Sequence, residues 1–360
     1  MPGGKKRGLR VIIAGGGTGG HLFPGIAIAE AFGEKDPANR VLFVNTGKPF
    51  EKTILKEMGM DQKQITASGF KGQHLSQKAA ALMKLARGVF EAVHIVREFK
   101  PNLVLGIGSY ASGAAVLAGR LMGVKVALHE QNSLPGMANR MLSPMAQRVY
   151  VSFEQTAARL SSKHVRVTGN PVRKEILHPQ TRAQEGRERF TVLIAGGSQG
   201  AHAVNRAMMA ALGSLREKST YRFIHQTGQE DRAEVETGYW KCGVDAVVQP
   251  FFDDMAEQYN AADLVICRAG ATTVAEITAL GKPALLVPYP FAADDHQTLN
   301  ARTLDESGAA EMIPQETLSG RLLAQRIDYH RRHPDRLAQM GRQAMGFGRP
   351  GAARDIVEDC

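Results

Sequence analysis

Val11-Ile-Ile-Ala-Gly-Gly-Gly-Thr-Gly-Gly-His21 returns 181 residues later as Val192-Leu-Ile-Ala-Gly-Gly-Ser-Gln-Gly-Ala-His202, with seven of the eleven positions identical. Each copy is a short β-rich run, then glycines, then an Ala-rich segment with helical spacing (Ile26, Ala27 and Ala31; Val204, Met208 and Ala211). This is how a βαβ unit opens: the apolar run is buried on both faces, the glycines make the turn, and the helix packs back on the sheet. Two such openings half a chain apart predict two Rossmann-like domains in tandem.

Working outward, residues 41–44, 103–105, 126–129 and 149–152 in the first half, and 223–225, 264–267 and 284–287 in the second, read as further strands separated by helical segments. Strict alternation predicts an α/β fold with two doubly wound parallel sheets. Gly169-Asn-Pro-Val-Arg173 breaks the pattern before a polar, proline-containing stretch at 174–189, the expected linker. The expected domains are residues 1–172 and 173–346, with a final helix within 347–360 packing back on the first.

Bulk properties narrow the function. The chain has 360 residues, of which 43 % are hydrophobic and 22 % charged, the balance of a soluble two-domain protein. No apolar run reaches the roughly 18–20 residues needed to span a bilayer, and the apolar core at 11–14 is too short for a signal peptide. Cys242, Cys267 and Cys360 are too far apart in sequence to suggest a metal knuckle or a disulfide framework, so reduced thiols are expected. Residues 1–172 carry 23 Lys and Arg against 10 Asp and Glu, whereas the remainder carries 22 against 25. A basic first half attracts a polyanion: a diphosphate, an anionic membrane surface or nucleic acid. With 6 % aromatic residues and no recognised nucleic-acid module, the last of these is excluded.

Glycine loops at the carboxyl ends of parallel strands let backbone N–H groups reach phosphate oxygens. The loop Gly15-Gly-Gly-Thr-Gly-Gly20 has no convincing acidic residue about 20 positions on to hold a ribose, which counts against a nicotinamide dinucleotide. A second loop, Gly106-Ile-Gly-Ser-Tyr-Ala-Ser-Gly113, gives the basic half another phosphate cradle. Gly16, Gly17, Gly106, Gly108, Ser109 and Tyr110 are the candidate ligands of a diphosphate in that half. In the second half, Cys267-Arg-Ala-Gly-Ala-Thr-Thr-Val-Ala-Glu276 carries a strand into a helix whose first amides lie near a carboxylate suited to ribose hydroxyls. The loop at 288–301 is rich in side chains that can read sugar hydroxyls. Asp253-Asp254 and Asp294-Asp295 are adjacent pairs of the capping or solvated kind, and no metal site is expected.

Taken in order, Gly16-Gly-Thr-Gly-Gly-His21, Gly106-Ile-Gly-Ser-Tyr110, His129-Glu-Gln-Asn132, Gly169-Asn-Pro-Val-Arg173, Gly196-Gly-Ser-Gln-Gly200, Phe252-Asp-Asp-Met255, Arg268-Ala-Gly270 with Thr273 and Glu276, and Asp295-His-Gln-Thr-Leu-Asn-Ala301 span nearly the whole chain. The set resembles the MurG family of glycosyltransferase family 28. The resemblance implies a GT-B fold, two Rossmann-like domains facing each other across a cleft. It also implies inverting transfer of N-acetylglucosamine from UDP-N-acetylglucosamine to undecaprenyl-diphosphate-N-acetylmuramoyl-pentapeptide, the lipid I to lipid II step of peptidoglycan synthesis.

By motif position it implies a UDP-N-acetylglucosamine site of Thr18, Gly19, Gly20, Asn132, Arg173, Ser198, Phe252, Ala271, Thr272, Thr273, Val274, Ala275, Glu276 and Gln297. Ser198 suits the diphosphate, Phe252 the uracil through backbone groups, and Glu276 the ribose. His296 stands where some relatives carry glutamine. His21 is the first candidate for the base, since imidazole titrates near working pH, and Glu130 the second. A helix-start role for His21, bonding the loop, remains open beside it, as its counterpart His202 illustrates. No cofactor and no metal are expected; the sugar nucleotide is a co-substrate, and amides and helix dipoles stabilise the leaving diphosphate.

A polyprenyl acceptor places the protein on the cytoplasmic face of the cell membrane, peripherally, where other cell-wall synthesis proteins are possible partners. In the segment 75–99, Leu82, Met83, Leu85, Ala86, Val89, Phe90, Val93 and Val96 interleave with Lys78, Lys84, Arg87 and Arg97. Most of these apolar positions are expected in the core; Leu75, Met83 and the basic residues are the candidate lipid-facing set. The alternatives are a GT-B glycosyltransferase with a soluble acceptor and a sugar-nucleotide isomerase, neither of which calls for the basic half or the lipid surface.

Overall fold

The structure, a computed structural model, describes residues 8–67, 75–178, 189–197 and 200–360. Seven strands form the first sheet: β1 (Arg10–Ala14), β2 (Arg40–Asn45), β3 (Gln62–Gln64), β4 (Leu103–Gly106), β5 (Lys125–Glu130), β6 (Arg148–Val151) and β7 (Val165–Val167). Their order is β3-β2-β1-β4-β5-β6-β7. Six form the second: β8 (Phe190–Ala195), β9 (Tyr221–Gln226), β10 (Asp245–Gln249), β11 (Leu264–Cys267), β12 (Ala284–Leu286) and β13 (Glu311–Met312), in the order β10-β9-β8-β11-β12-β13. Every neighbouring pair is parallel. Both sheets thus have the doubly wound order, and each changes winding direction beside its first strand, between β1 and β4 and between β8 and β11.

The central strands read as continuous apolar runs because both of their faces are covered. Val11 and Ile13 of β1 pack with Leu22, Ile26 and Phe32 of the helix Gly19–Lys35. Ile12 and Ala14 face the other way, onto Ile95 and Val96 of the helix Leu75–Phe99 and Ala111 and Val116 of the helix Ser109–Leu121. In the second sheet Val192 and Ile194 pack with Val204 and Met208 of the helix His202–Leu212 and with Leu323 and Ile327 of the helix Gly320–Arg332. All seven strands expected from sequence are present, within two residues at their ends.

The chain divides into two compact units, one running up to Arg173 and including Gly351–Cys360, the other Lys174–Pro350. The terminal helix Ala352–Asp359 lies against the helix Gly19–Lys35, with Ile356 and Val357 buried beside Leu22 and Ile26. Asp359 pins it there, accepting from Arg148 Nε (2.9 Å) and the Tyr150 hydroxyl (3.0 Å) and pairing with Arg166 (2.5 Å). Burial, together with Cys360 and Asp359, pushes the Tyr150 phenol far above its ordinary range, so it remains a donor. Much of the expected linker, residues 179–188, lies outside the described residues.

Ile356→Ala is expected to destabilise the first unit by about 2–5 kcal/mol, the usual cost of a buried isoleucine truncated to alanine. Urea unfolding of the variant against a Glu358→Ala control, on the exposed side of the same helix, measures it.

Candidate functional site

The first unit's site grows from the turns that follow β1 and β4. Gly15 N–H donates to Val44 O (3.0 Å), and Ile107 N–H to Ala14 O (2.9 Å), which draws the two turns together. A Cβ on Gly15 would fall 2.6 Å from Gly108 O. Gly108, at φ 96°, carries the edge of the His21 ring: a Cβ there would lie 2.5 Å from Cδ2 and 2.7 Å from Nε2. Glycine is required at both places, on steric as well as conformational grounds. His21 itself is half-buried in the first turn of its helix, with Nδ1 3.4 Å from Thr18 Oγ1; Thr18 and Gly20 are exposed, Gly19 half-buried.

Behind His21 stands His129, fully buried at the end of β5, with Nε2 3.2 Å from Gly169 O. Burial lowers its pKa to about 4 against that hydrogen bond, and the nearby charge of His21 pushes the same way. A neutral His129 must therefore use its Nε2–H as donor to Gly169 O. Gln131 Nε2 bonds Ile107 O at 2.8 Å, tying β5 to the second glycine turn.

Glu130 sits in this layer too, 2 % exposed. Its Oε1 accepts from Asn132 N–H (3.0 Å), and its Oε2 from Gly136 N–H (3.0 Å) and Asn139 Nδ2 (2.8 Å). A carboxylate so enclosed shapes the turn that presents Asn132. Asn132 is half-buried and held further by Thr156 Oγ1, which donates to its carbonyl (3.1 Å).

The two proposed phosphate cradles of this unit differ. In the second, Gly106 is buried, and Gly108 leads into the helix Ser109–Leu121, which starts at Ser109 in a left-handed conformation (φ 72°). The Ser109 Oγ is buried without a partner among the described residues, and Tyr110 is exposed. In the first, the Gly17 N–H donates to Glu51 Oε1, and Gly16 lies directly against that carboxylate. The Gly17 amide is thus already committed to a buried carboxylate. Sequence reading passed over Glu51, although the Lys48-Pro-Phe-Glu51 spacing carries a helix-start signature. Arg173 lies with its guanidinium 4.1 Å from the Phe23 ring centroid, beside the helix that bears His21.

The second unit carries its described candidate residues after β10, β11 and β12. The helix Ala271–Ala279 begins at Gly270 without a side-chain cap, so its first-turn amides at Ala271, Thr272 and Thr273 have no intrahelical acceptor. Val274 N–H already returns to Gly270 O (2.9 Å), while Ala275 and the 6 % exposed Glu276 complete the second turn. Glu276 Oε2 accepts from the Tyr259 hydroxyl at 2.9 Å, a partner absent from the sequence reading. Arg268 Nη1 reaches Val287 O and Pro288 O, both at 3.1 Å, and Gln297 Oε1 accepts from Tyr289 N–H (3.0 Å). These bonds dock the loop bearing half-buried His296 and Gln297 onto the loop that starts the 271–279 helix.

Phe252 is buried, and its N–H donates to Gln226 Oε1 (3.2 Å), which leaves its carbonyl as the backbone group able to serve a base. Ser198 lies outside the described residues. His202 is tied through Nδ1 to Asp231 (2.9 Å), whose other oxygen takes Asn205 Nδ2 (2.7 Å); Asn205 in turn meets buried His225 at 3.0 Å. Among the described residues no group of three or more His, Cys, Asp or Glu side chains could hold a metal ion.

Residues 11–151 match the N-terminal domain and residues 191–356 the C-terminal domain of glycosyltransferase family 28. A relative from Syntrophus aciditrophicus, a UDP-N-acetylglucosamine–N-acetylmuramyl-(pentapeptide) pyrophosphoryl-undecaprenol N-acetylglucosamine transferase, is 47 % identical over 98 % of both chains. The chain belongs to glycosyltransferase family 28. Among solved structures, MurG of Acinetobacter baumannii superposes with a TM-score of 0.77 at 32 % identity, over 97 % of this chain and 98 % of that one. A UDP-GlcNAc 2-epimerase from Neisseria meningitidis matches with a TM-score of 0.68 over 97 % and 99 % but at 15 % identity, a likeness of fold alone. The chain therefore carries the GT-B fold, and relatives 42–47 % identical over nearly its whole length bear the transferase name.

His129 and His225 make stability sensitive to acid. Burial lowers His129 to about 4 and His225 to about 3, from 6.5. Unfolding releases both to bind protons, so stability is full above about pH 6.5 and declines as pH falls toward those values. Each histidine contributes a slope of at most about 1.4 kcal/mol per pH unit. Urea midpoints compared between pH 7 and 5, above most carboxylate titration, should fall; an equal fall in a His129→Asn, His225→Asn variant would place the proton uptake elsewhere.

Proposed function

We propose that this protein transfers N-acetylglucosamine from UDP-N-acetylglucosamine to an N-acetylmuramoyl-pentapeptide carried on undecaprenyl diphosphate, completing the lipid-linked disaccharide of peptidoglycan. The near full-length identity to transferases of that name supports it. The observation that carries the local chemistry is the His21 imidazole, seated on Gly108 where the turns after β1 and β4 meet.

The second unit takes the donor. First-turn amides of the helix Ala271–Ala279 face the diphosphate, Glu276 accepts from the ribose, the Phe252 carbonyl reads the uracil, and Gln297 reads the sugar. The first unit takes the acceptor, with its diphosphate on the turn Gly108–Ser109–Tyr110 at a helix N-terminus. The acceptor hydroxyl attacks the anomeric carbon in one displacement: the new C–O bond forms as the bond to UDP breaks, and His21 receives the hydroxyl proton. Inversion follows from the single displacement. Amides and helix dipoles stabilise the leaving diphosphate without a resident metal.

No helix among the described residues is long and apolar enough to cross a membrane. A peripheral seat on the cytoplasmic face of the cell membrane is supported by an apolar surface on the first unit. Met83 (69 % exposed) and Phe90 (76 %) share a face of the helix Leu75–Phe99 with exposed Lys84 and Arg87. Leu121 and Met141, on helices packed in sequence beside it, are also exposed. Leu85, Val89, Val93 and Val96 are turned to the core as expected, whereas Phe90 is corrected from core to surface. The side chains of Leu75, Lys78 and Leu82 lie outside the described residues.

Incubation with labelled UDP-N-acetylglucosamine and the lipid-linked monosaccharide should carry label into the lipid phase. His21→Ala should lower turnover about 10²–10⁴-fold, as loss of a general base does, with donor affinity little changed. Glu276→Ala should instead act mainly on donor affinity. Label that stays aqueous while the donor binds would refute the acceptor assignment. Separately, Met83→Asp with Phe90→Asp should weaken co-sedimentation with anionic vesicles, and added salt should weaken it in the unsubstituted protein; unchanged binding would move the lipid surface elsewhere.

A further inference from the structure

The loop between β1 and its helix has the conformation of a phosphate-binding turn, with Gly15, Gly16 and Gly17 at φ 150°, 137° and 94°. Its anion, however, is already inside the protein. Glu51, fully buried in the first turn of the helix Pro49–Glu57, receives the Gly17 N–H on Oε1. On Oε2 it receives Lys48 N–H (3.0 Å) and the Thr46 hydroxyl (3.3 Å). Exposed Lys48 closes the other side, with Nζ donating to Gly17 O at 3.3 Å. Both polar groups of Gly17 are therefore gripped by the segment 46–51. The very next residue, Thr18, is the N-cap of the helix that presents His21 and accepts the His21 and Leu22 amides on its carbonyl (3.2 and 3.1 Å).

We propose that Glu51 is a built-in anion of the first glycine loop: it closes Gly17 to diphosphates and serves as a positioning residue for His21, leaving the acceptor diphosphate to the Gly108–Tyr110 turn. The positioning half rests on the reading of His21 as the base given above; the anion half does not. A buried carboxylate excludes a second anion by repulsion and by occupying the donor a phosphate would need. The bond accepted from Gly17 ties the loop to the segment 46–51, the bonds from Thr46 and Lys48 hold the carboxylate in place, and the imidazole inherits that order through one turn of helix.

Glu51→Gln removes the charge and one acceptor while keeping the side-chain shape. Calorimetric titration of the full chain with inorganic pyrophosphate should show binding about tenfold tighter in the variant than in the unsubstituted protein, as expected when a like charge is removed from an anion site. Turnover should fall about tenfold or more, with the KM for UDP-N-acetylglucosamine within about twofold, because the loss lies in orientation of the base. Glu51→Asp, too short to reach Gly17, should not restore turnover. Unchanged pyrophosphate affinity or unchanged turnover in Glu51→Gln overturns the proposal. Should that variant not fold, the unsubstituted protein labelled with [15N]glycine and titrated with pyrophosphate decides the matter: a stationary Gly17 amide resonance supports the inference, and one that shifts with saturation overturns it. Absence of transfer by the unsubstituted protein would instead sink the functional reading, while the pyrophosphate measurements would still stand.

Discussion

The contact between the His21 ring and Gly108 is the constraint around which the first unit is arranged. It joins the turn after β1 to the turn after β4 at the place where a doubly wound sheet reverses direction, and it exists only because neither turn carries a Cβ at the point of approach. An imidazole placed this way has its ring edge against Gly108 and its Nδ1 beside the Thr18 hydroxyl. The role proposed for it depends on that order, since a base contributes only when its lone pair is already aimed at the hydroxyl.

Three carboxylates hold local structure together. Glu130 fastens the turn of Asn132, Glu51 fastens the first glycine loop, and Glu276 is braced by Tyr259. Each is buried, and each accepts hydrogen bonds from neighbours, as burial of a carboxylate requires. Glu276 differs in its setting, in the second turn of a helix that starts at Gly270 without a side-chain cap.

The two histidines that follow glycine loops show the same division. His202 is locked by Asp231 into a network that runs through Asn205 to the buried His225. His21, with the same spacing from its glycines, has the Thr18 hydroxyl and the Gly108 surface beside its ring. The repeat that made the fold legible thus yields two histidines in different surroundings, because Asp231 in one unit and Gly108 in the other lie outside the repeated stretch.

By itself the sequence determined the two parallel sheets, their central strands but not the edge strands β3, β7, β10 and β13, and the helix that follows each glycine loop. It could do so because a strand buried on both faces must be an apolar run, and a turn with positive φ must be glycine, whatever lies further away. The family too was legible, since its motifs are local strings such as His129-Glu-Gln-Asn132 and Asp295-His-Gln-Thr-Leu-Asn-Ala301. Only the tertiary structure decided that Gly17 faces a carboxylate 34 residues on, that Glu130 is spent on its own turn, that Phe90 is exposed, and that the terminal helix is pinned by Arg148, Tyr150 and Arg166. Hydrogen bonds and close approaches of this kind depend on which distant segments the sheet order brings side by side, and no periodicity in a single stretch of chain encodes that.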